Sequence, residues 1–172
     1  IVIPTFNEVK NIIPLLKKLL SLFNDYEYEI IIVDDDSPDG TSEEVENYIK
    51  DKKTIKLITR IGRSGLSSAI KEGILNASGE IIAVMDTDGQ HEVNTISNGI
   101  EALIEKNLDF VVGSRFLANS AIRGLSESRK GGSSIANSLA KLSLPKEYSH
   151  IKDFMSGCMV LDRQACISYI EQ

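Results

Sequence analysis

The residues best placed to do chemistry are Asp86 and Asp88, in the run Ile81-Ile-Ala-Val-Met-Asp86-Thr-Asp88-Gly-Gln90-His91. An apolar, strand-like stretch stops abruptly at two carboxylates spaced i, i+2. A strand would put such residues on one face, roughly 6.5 Å apart. Two anions about 4 Å apart near a protein surface repel by roughly 4 kcal/mol, and a cation relieves that repulsion. Hard oxygen donors, with no Cys or paired His beside them, suit Mg²⁺ or Mn²⁺, which takes one or two carboxylates plus substrate phosphates. The stretch therefore predicts a metal–diphosphate site at a strand end. The same residues also read as a simple polar turn, where Asp and Gly are common, and this stretch alone leaves both readings open. A calcium loop fits less well: Gly89 comes too early and no Glu follows at the required spacing.

The elements that must position these carboxylates follow from periodicity. Ile1-Val-Ile-Pro4 reads as the end of a buried strand closed by Pro4, and Asn7 is placed to cap a helix. Residues 10–23 carry Ile12, Ile13, Leu15, Leu16, Leu19, Leu20 and Phe23 at helical spacing, a face expected to be core. Residues 29–33 predict a second buried strand, broken by Asp34-Asp35-Asp36-Ser-Pro-Asp39-Gly40. Asp34 and Asp36 are expected to close that turn, and Asp39 to shape it. A helix over 41–50 follows, with Thr41 and Glu44 spaced as a capping box. Further strands are expected at 55–58, 81–85 and from 110, with helices at 66–76, ended by Ser78-Gly79, and at 94–106. Beyond Phe116 the pattern predicts a polar loop over 117–128, a helix over 129–142, a polar turn and strand from Asp153 to Leu161, and a last helix begun by Asp162.

Helices alternating with strands that are apolar throughout argue for an α/β domain: a mostly parallel sheet covered on both faces. In such folds ligands sit beyond the carboxyl ends of the strands. Thr5 to Glu8, Asp34 to Asp36, Asp86 to Asp88 and Gly113 to Arg115 all follow strand ends, and four polar clusters converging on one rim favour the site over four unrelated turns.

Composition bounds the rest. The 172 residues suit a single domain with a real core. A net charge of −6 with no Lys/Arg block argues against nucleic-acid binding. Cys158 and Cys166 form no CxxC pair, which points to a reducing compartment. No segment approaches the roughly 20 apolar residues that span a bilayer. The chain begins inside an expected strand and stops inside an expected helix, so it reads as part of a longer protein whose missing termini could carry a membrane anchor. Gly62-Arg-Ser-Gly65 is no P-loop, although Arg63 is placed to meet phosphate.

With these clusters in place, the chain resembles the inverting family 2 glycosyltransferases of the GT-A fold, and within them the dolichol-phosphate mannose synthase group. The resemblance is carried by Ile3-Pro-Thr-Phe-Asn-Glu8, Val33-Asp-Asp-Asp-Ser-Pro-Asp-Gly40, Gly65-Leu-Ser-Ser-Ala69, Met85-Asp-Thr-Asp-Gly-Gln-His91, Gly113-Ser-Arg115 and Asp153-Phe-Met-Ser-Gly157, in that order along nearly the whole chain. It implies nucleotide-sugar contacts from Pro4, Phe6, Glu8, Val33, Asp35, Asp86, Thr87, Asp88 and Gln90. It implies a Mg²⁺ or Mn²⁺ ion engaged by Asp86, Asp88 and Gln90, and places Asp86, Asp88 and Arg115 at the reacting diphosphate. Arg129 and Ser133 match positions used for a lipid-phosphate acceptor, and an arginine fork suits phosphate. Departures from the group's pattern (Phe6 for Tyr, Gly89 for Leu, Glu92-Val93 for Pro-Pro, Phe154 for Pro) bear on the acceptor and sugar rather than on nucleotide and metal.

The activity so implied is transfer of a hexose, mannose from GDP-mannose first, to a polyprenyl phosphate at the cytosolic face of a membrane. A phosphate acceptor is already an anion and needs mainly positioning. A hydroxyl acceptor would need a base, for which Asp153 is the one candidate before the last helix. His91 is a candidate orienting residue or ligand, and equally a plain hydrogen-bonding group. Alternatives are another nucleotide sugar such as UDP-glucose, a saccharide or protein acceptor, or a nucleotide-binding domain without turnover. A dinucleotide oxidoreductase is disfavoured because no GxGxxG follows the first strand. Oligomeric state is not legible.

Overall fold

The computed structural model describes residues 1–114 and 156–170. Among these, six strands form one sheet in the order β3-β2-β1-β4-β6-β5. The elements are β1 (Val2–Thr5), α1 (Ile12–Leu22), β2 (Ile30–Asp34), α2 (Thr41–Ile49), β3 (Ile55–Thr59), α3 (Leu66–Asn76), β4 (Ile81–Met85), α4 (Asn94–Glu105), β5 (Phe110–Val112), β6 (Cys158–Asp162) and α5 (Arg163–Ile170). Strands β3, β2, β1 and β4 are mutually parallel, while β6 runs antiparallel between β4 and β5. The mostly parallel α/β sheet is as expected.

Both faces of the central strands are buried, which explains why they are apolar without alternation. Successive side chains still point to opposite faces. Ile3, Ile30, Ile32, Ala83 and Met85 pack with Ile12 and Leu16 of α1, Val45 of α2 and Ile96 of α4. Val2, Ile31, Val33, Ile82 and Val84 pack with Ala69 and Ile74 of α3 and with Leu161. The apolar face of α1 is core, as its spacing predicts: Ile12, Ile13, Leu16, Leu19 and Phe23 are buried.

Pro4 does not close β1. The strand runs on through Thr5, with Pro4 opposite Val33. The carbonyls of Ile1 and Thr5 accept from β2 and the residue following it, so Pro4, out of phase with both, turns its nitrogen toward β4. A proline has no N–H to offer there, and β1 pairs with β4 only at Val2 and Val84. The sheet therefore opens between β1 and β4, where the strand order reverses. Ligands of open α/β sheets bind at such reversals.

Two helix starts differ from expectation. Asn7 caps nothing: it sits at φ 60°, and α1 begins only after Asn11, whose side chain does not cap it either. The capping box at α2 is absent, because Gly40 takes the cap position and Thr41 is the first helical residue. The Thr41 hydroxyl instead donates to Asp39 and accepts from the Glu8 amide. Helix α3 ends at Asn76, ahead of Ser78-Gly79. Those two residues have another task at the rim opposite the opening. The Glu29 carboxylate accepts the Ser78 amide and hydroxyl, each at 2.6 Å, the Gly79 amide, and Lys56 Nζ at 2.8 Å. Asp162 ends β6 and, as expected of a cap, accepts the Ala165 amide at 2.8 Å.

Candidate functional site

The rim at the opening between β1 and β4 is built from three loops. The first, residues 5–9, lies on the second, residues 34–41. Three successive amides dock there: Asn7 N–H donates to Ser37 Oγ at 2.9 Å, Glu8 N–H to Thr41 Oγ1 at 2.9 Å, and Val9 N–H to Asp39 Oδ2 at 3.1 Å. Burial raises the Asp39 carboxyl, but hydrogen bonds from Thr41 and Val9 outweigh it and hold it below its ordinary range. Asp34 is fully buried and accepts from Thr5, from both the amide and hydroxyl of Ser37, and from Ser42. Asp34 and Asp39 therefore hold the turn, as expected, while Asp36 is exposed at φ 54°. The acidic run is a scaffold that presents Phe6 and Glu8.

Asp35 differs from its neighbours. Its Oδ1 accepts Arg60 Nε at 2.6 Å and also pairs with Nη2, while Oδ2 accepts the Gly65 amide at 2.7 Å. Arg60 follows β3 and is one of the largest fully buried side chains. A lone Arg after a short apolar strand gave no signal of this in the sequence. Only the pairing of β3 with β2 brings it beneath Asp35. Arg63, by contrast, forks onto Glu72 with both contacts at 3.0 Å.

The third loop carries the acidic pair. Strand β4 stops at Met85, so strand alternation does not place Asp86 and Asp88. They nevertheless share both hollows of the opening. One, of about 320 Å³, is lined by Pro4, Phe6, Glu8, Asp35, Asp86 and Asp88, with Thr87 beside them. The other, of about 340 Å³, lies on the α1 side and adds Asn11, Lys18 and His91. Asp88 is exposed, and its Oδ1 accepts the Gln90 amide at 3.0 Å. Asp86 donates its amide to the Gly157 carbonyl at 2.9 Å. A Cβ at Gly157 would overlap the Asp86 carboxylate, so only glycine leaves room for that side chain.

A serine ties the acidic loop to the neighbouring strand ends. Ser156 Oγ donates to the Gly113 carbonyl, accepts the Cys158 amide at 3.1 Å and lies 3.3 Å from His91 Nε2. His91 is thus within hydrogen-bond reach of Ser156, a contact that suits either an orienting role or a plain hydrogen bond. Burial, and then the negative charge of Asp86, push the Cys158 thiol up to about 12, and this buried residue lines neither hollow.

Of the residues expected at a site, the structure thus brings Pro4, Phe6, Glu8, Asp35, Asp86, Thr87 and Asp88 to one hollow. Val33 is not among them: its side chain is fully buried beneath α3, since its face of β2 is the one α3 covers. The Gln90 side chain lies outside the lining of both hollows. Arg115, Arg129, Ser133 and Asp153 lie outside the described residues, as do the loop expected over 117–128 and the helix over 129–142. No group of three His, Cys, Asp or Glu gathers for a metal among the described residues. Two carboxylates at the edge of a polar hollow fit a hard cation that completes its shell with phosphate and water oxygens.

A family model described as Glycosyl transferase family 2 matches residues 1–170. The dolichol-phosphate mannosyltransferase of Pyrococcus furiosus is 37% identical over 164 residues, which is 95% of this chain and 46% of that protein. The Saccharomyces cerevisiae protein of the same name is 33% identical over 119 residues, 67% of this chain and 44% of its own length. The chain thus spans about half the length of these relatives. Among solved structures, mannosyl-3-phosphoglycerate synthase from Rubrobacter xylanophilus superposes with a TM-score of 0.71 at 17% identity, over 95% of this chain and 53% of that one. Glucosyl-3-phosphoglycerate synthase from Mycobacterium tuberculosis, solved with Mn²⁺, UDP-glucose and phosphoglyceric acid, gives 0.68 at 18% identity over 95% and 56%.

Proposed function

This chain belongs to glycosyl transferase family 2 and has the GT-A fold, and from that premise we propose that the opening between β1 and β4 binds a nucleoside-diphosphate hexose and transfers the hexose, with inversion, to a polyprenyl phosphate. The name of the relatives, dolichol-phosphate mannosyltransferase, supports mannose as the sugar, and GDP-mannose is the donor proposed to carry it. The observation that carries the reading is the gathering of Pro4, Phe6, Glu8 and Asp35 with Asp86 and Asp88 around one hollow.

In this reading Phe6 and Pro4 give the base and ribose an apolar wall, and Asp35 accepts a hydrogen bond from the nucleotide. Asp86 and Asp88 hold a Mg²⁺ or Mn²⁺ ion with the diphosphate, and Gln90 reaches that ion or the sugar. When bound, the cation supplies Lewis-acid stabilisation of the leaving diphosphate. Arg115 is assigned to the same phosphates by resemblance, and Arg129 and Ser133 to the acceptor phosphate. A phosphate acceptor attacks as an anion, so the protein must position it on the face of the anomeric carbon opposite the diphosphate. The acceptor places the reaction at a membrane surface, although no helix among the described residues is long and apolar enough to cross one.

The test is a panel of radiolabelled GDP-mannose and UDP-glucose offered to the full-length protein with Mn²⁺ and polyprenyl phosphate. Label from GDP-mannose should enter the lipid fraction, cease on chelation and return with Mn²⁺. Label from UDP-glucose alone would correct the donor. Label in a saccharide or protein would correct the acceptor. Nucleotide binding without transfer of either sugar would overturn the assignment.

A further inference from the structure

We propose that Arg60 is the positioning residue of the nucleotide wall: it fixes Asp35 so that the carboxylate offers one acceptor to the opening, and it does so by the shape of its guanidinium rather than by charge alone. The inference rests on the reading of Asp35 as a nucleotide contact. Arg60 is 1% exposed at its side chain and Asp35 8%, so neither is held by solvent. The guanidinium is used all round. Nε and Nη2 meet Asp35 Oδ1, Nη1 donates to Ser68 Oγ at 2.8 Å, Nη2 reaches the Gly65 carbonyl at 3.1 Å, and Glu72 Oε2 lies 3.9 Å from Nη1.

Gly65 closes the arrangement from the other side. Its amide donates to Asp35 Oδ2 while its carbonyl accepts from Arg60, so one residue clamps both partners. This is possible at φ +124°, where an L side chain is strained. A carboxylate has about four acceptor positions. Among the described residues, two on Oδ1 are taken by the guanidinium and one on Oδ2 by Gly65, which leaves one on Oδ2, and Asp35 lines the hollow together with Pro4, Phe6 and Glu8. The Arg60 main chain adds to the fixation, because its amide donates to the Asp34 carbonyl at 2.8 Å.

A lysine at position 60 keeps the charge but is a point donor that cannot span Asp35, Ser68 and Gly65 together. Titration calorimetry of GDP and UDP with Mn²⁺ on the full-length protein, beside donor kinetics, tests this. Arg60→Lys should weaken binding of the preferred nucleotide about tenfold and raise the donor KM to match, with kcat at saturating donor within about twofold. In an Asp35→Asn background, Arg60→Lys should add almost nothing, because both changes remove one contact. Should Arg60→Lys lower the melting temperature too far for assay, Ser68→Ala, which frees one Nη1 contact, should weaken binding by about threefold in a folded protein.

Wild-type nucleotide affinity in both Arg60→Lys and Ser68→Ala, with affinity lost in Asp35→Asn, would overturn the proposal and leave the donor site standing. Independent, multiplying losses from Arg60→Lys and Asp35→Asn would overturn it too. Unchanged affinity in Asp35→Asn would overturn the donor-site reading itself, and this proposal with it.

Discussion

The two walls of the opening use the same residue type for opposite ends. On the β1–β2 side, Asp34, Asp35 and Asp39 are engaged by the protein's own amides, hydroxyls and guanidinium. On the β4 side, Asp88 is exposed, with one oxygen on the Gln90 amide, and Asp86 is half-buried against Gly157. A buried carboxylate whose oxygens are all taken by donors, as in Asp34, is part of the scaffold. One at the edge of a polar hollow, paired with a second anion, is available to a cation. The contrast shows that sequence acidity alone does not mark a site; what surrounds each carboxylate does.

The sharpest way to break the comparison is to exchange the two kinds of loss. Asp88→Ala should cut transfer about a thousandfold or more while leaving stability within about 0.5 kcal/mol. Asp34→Asn should do the converse. It puts an amide N–H among donors and should cost about 2–4 kcal/mol, read in urea unfolding, with residual folded protein still turning over. Wild-type transfer in Asp88→Ala would sink the metal assignment, and a stable Asp34→Asn would remove the scaffold reading.

Gly157→Ala sharpens the picture of the β4 wall, where Asp86 sits against the turn before β6. The added methyl group meets the Asp86 carboxylate, so stability should fall by about 1–3 kcal/mol and the Mn²⁺ concentration needed for half-maximal transfer should rise. A change in stability with no change in metal requirement would confine Gly157 to packing.

The smallest effect lies at the far rim, where a carboxylate is scaffold alone. Burial pushes the Glu29 carboxyl up, but hydrogen bonds from Lys56 and Ser78 outweigh it and hold it at about 2, below its ordinary 4.5. A depressed folded value contributes stability that is fully present above 4.5 and is lost as pH falls toward 2. Glu29→Gln should cost about 1–2 kcal/mol at pH 7 and flatten the acid limb of the stability profile, with donor KM unchanged. An acid limb as steep as wild type would remove Glu29 as its source.

Much of the fold was legible because burial on both faces leaves uninterrupted apolar runs. Strands β2 and β4 and helices α1 and α3 lie within a residue or two of their expected places. The misreadings fall where local chemistry was outbid by contacts distant in sequence. Thr41 has the spacing of a capping residue, yet its hydroxyl goes to Asp39 and to the Glu8 amide, 33 residues away. Pro4 reads as a strand end, and instead marks the side on which the sheet opens. Separately from these, Val33 was expected to contact the nucleotide, and its side chain lies under α3. Arg60 stands in no motif, since an isolated arginine carries no pattern, and Gly157 stands in one that says nothing of its contact with Asp86.

By itself the sequence determined the order of strands and helices, the four polar clusters behind strand ends and, through their motifs, the family. These are properties of neighbouring residues, which periodicity and spacing record. Which carboxylate serves as scaffold and which faces a ligand was decided only in three dimensions, because that depends on the donors and the depth at which each is set. The buried guanidinium under Asp35 and the missing methyl group beside Asp86 come from strands that meet only once the sheet has assembled.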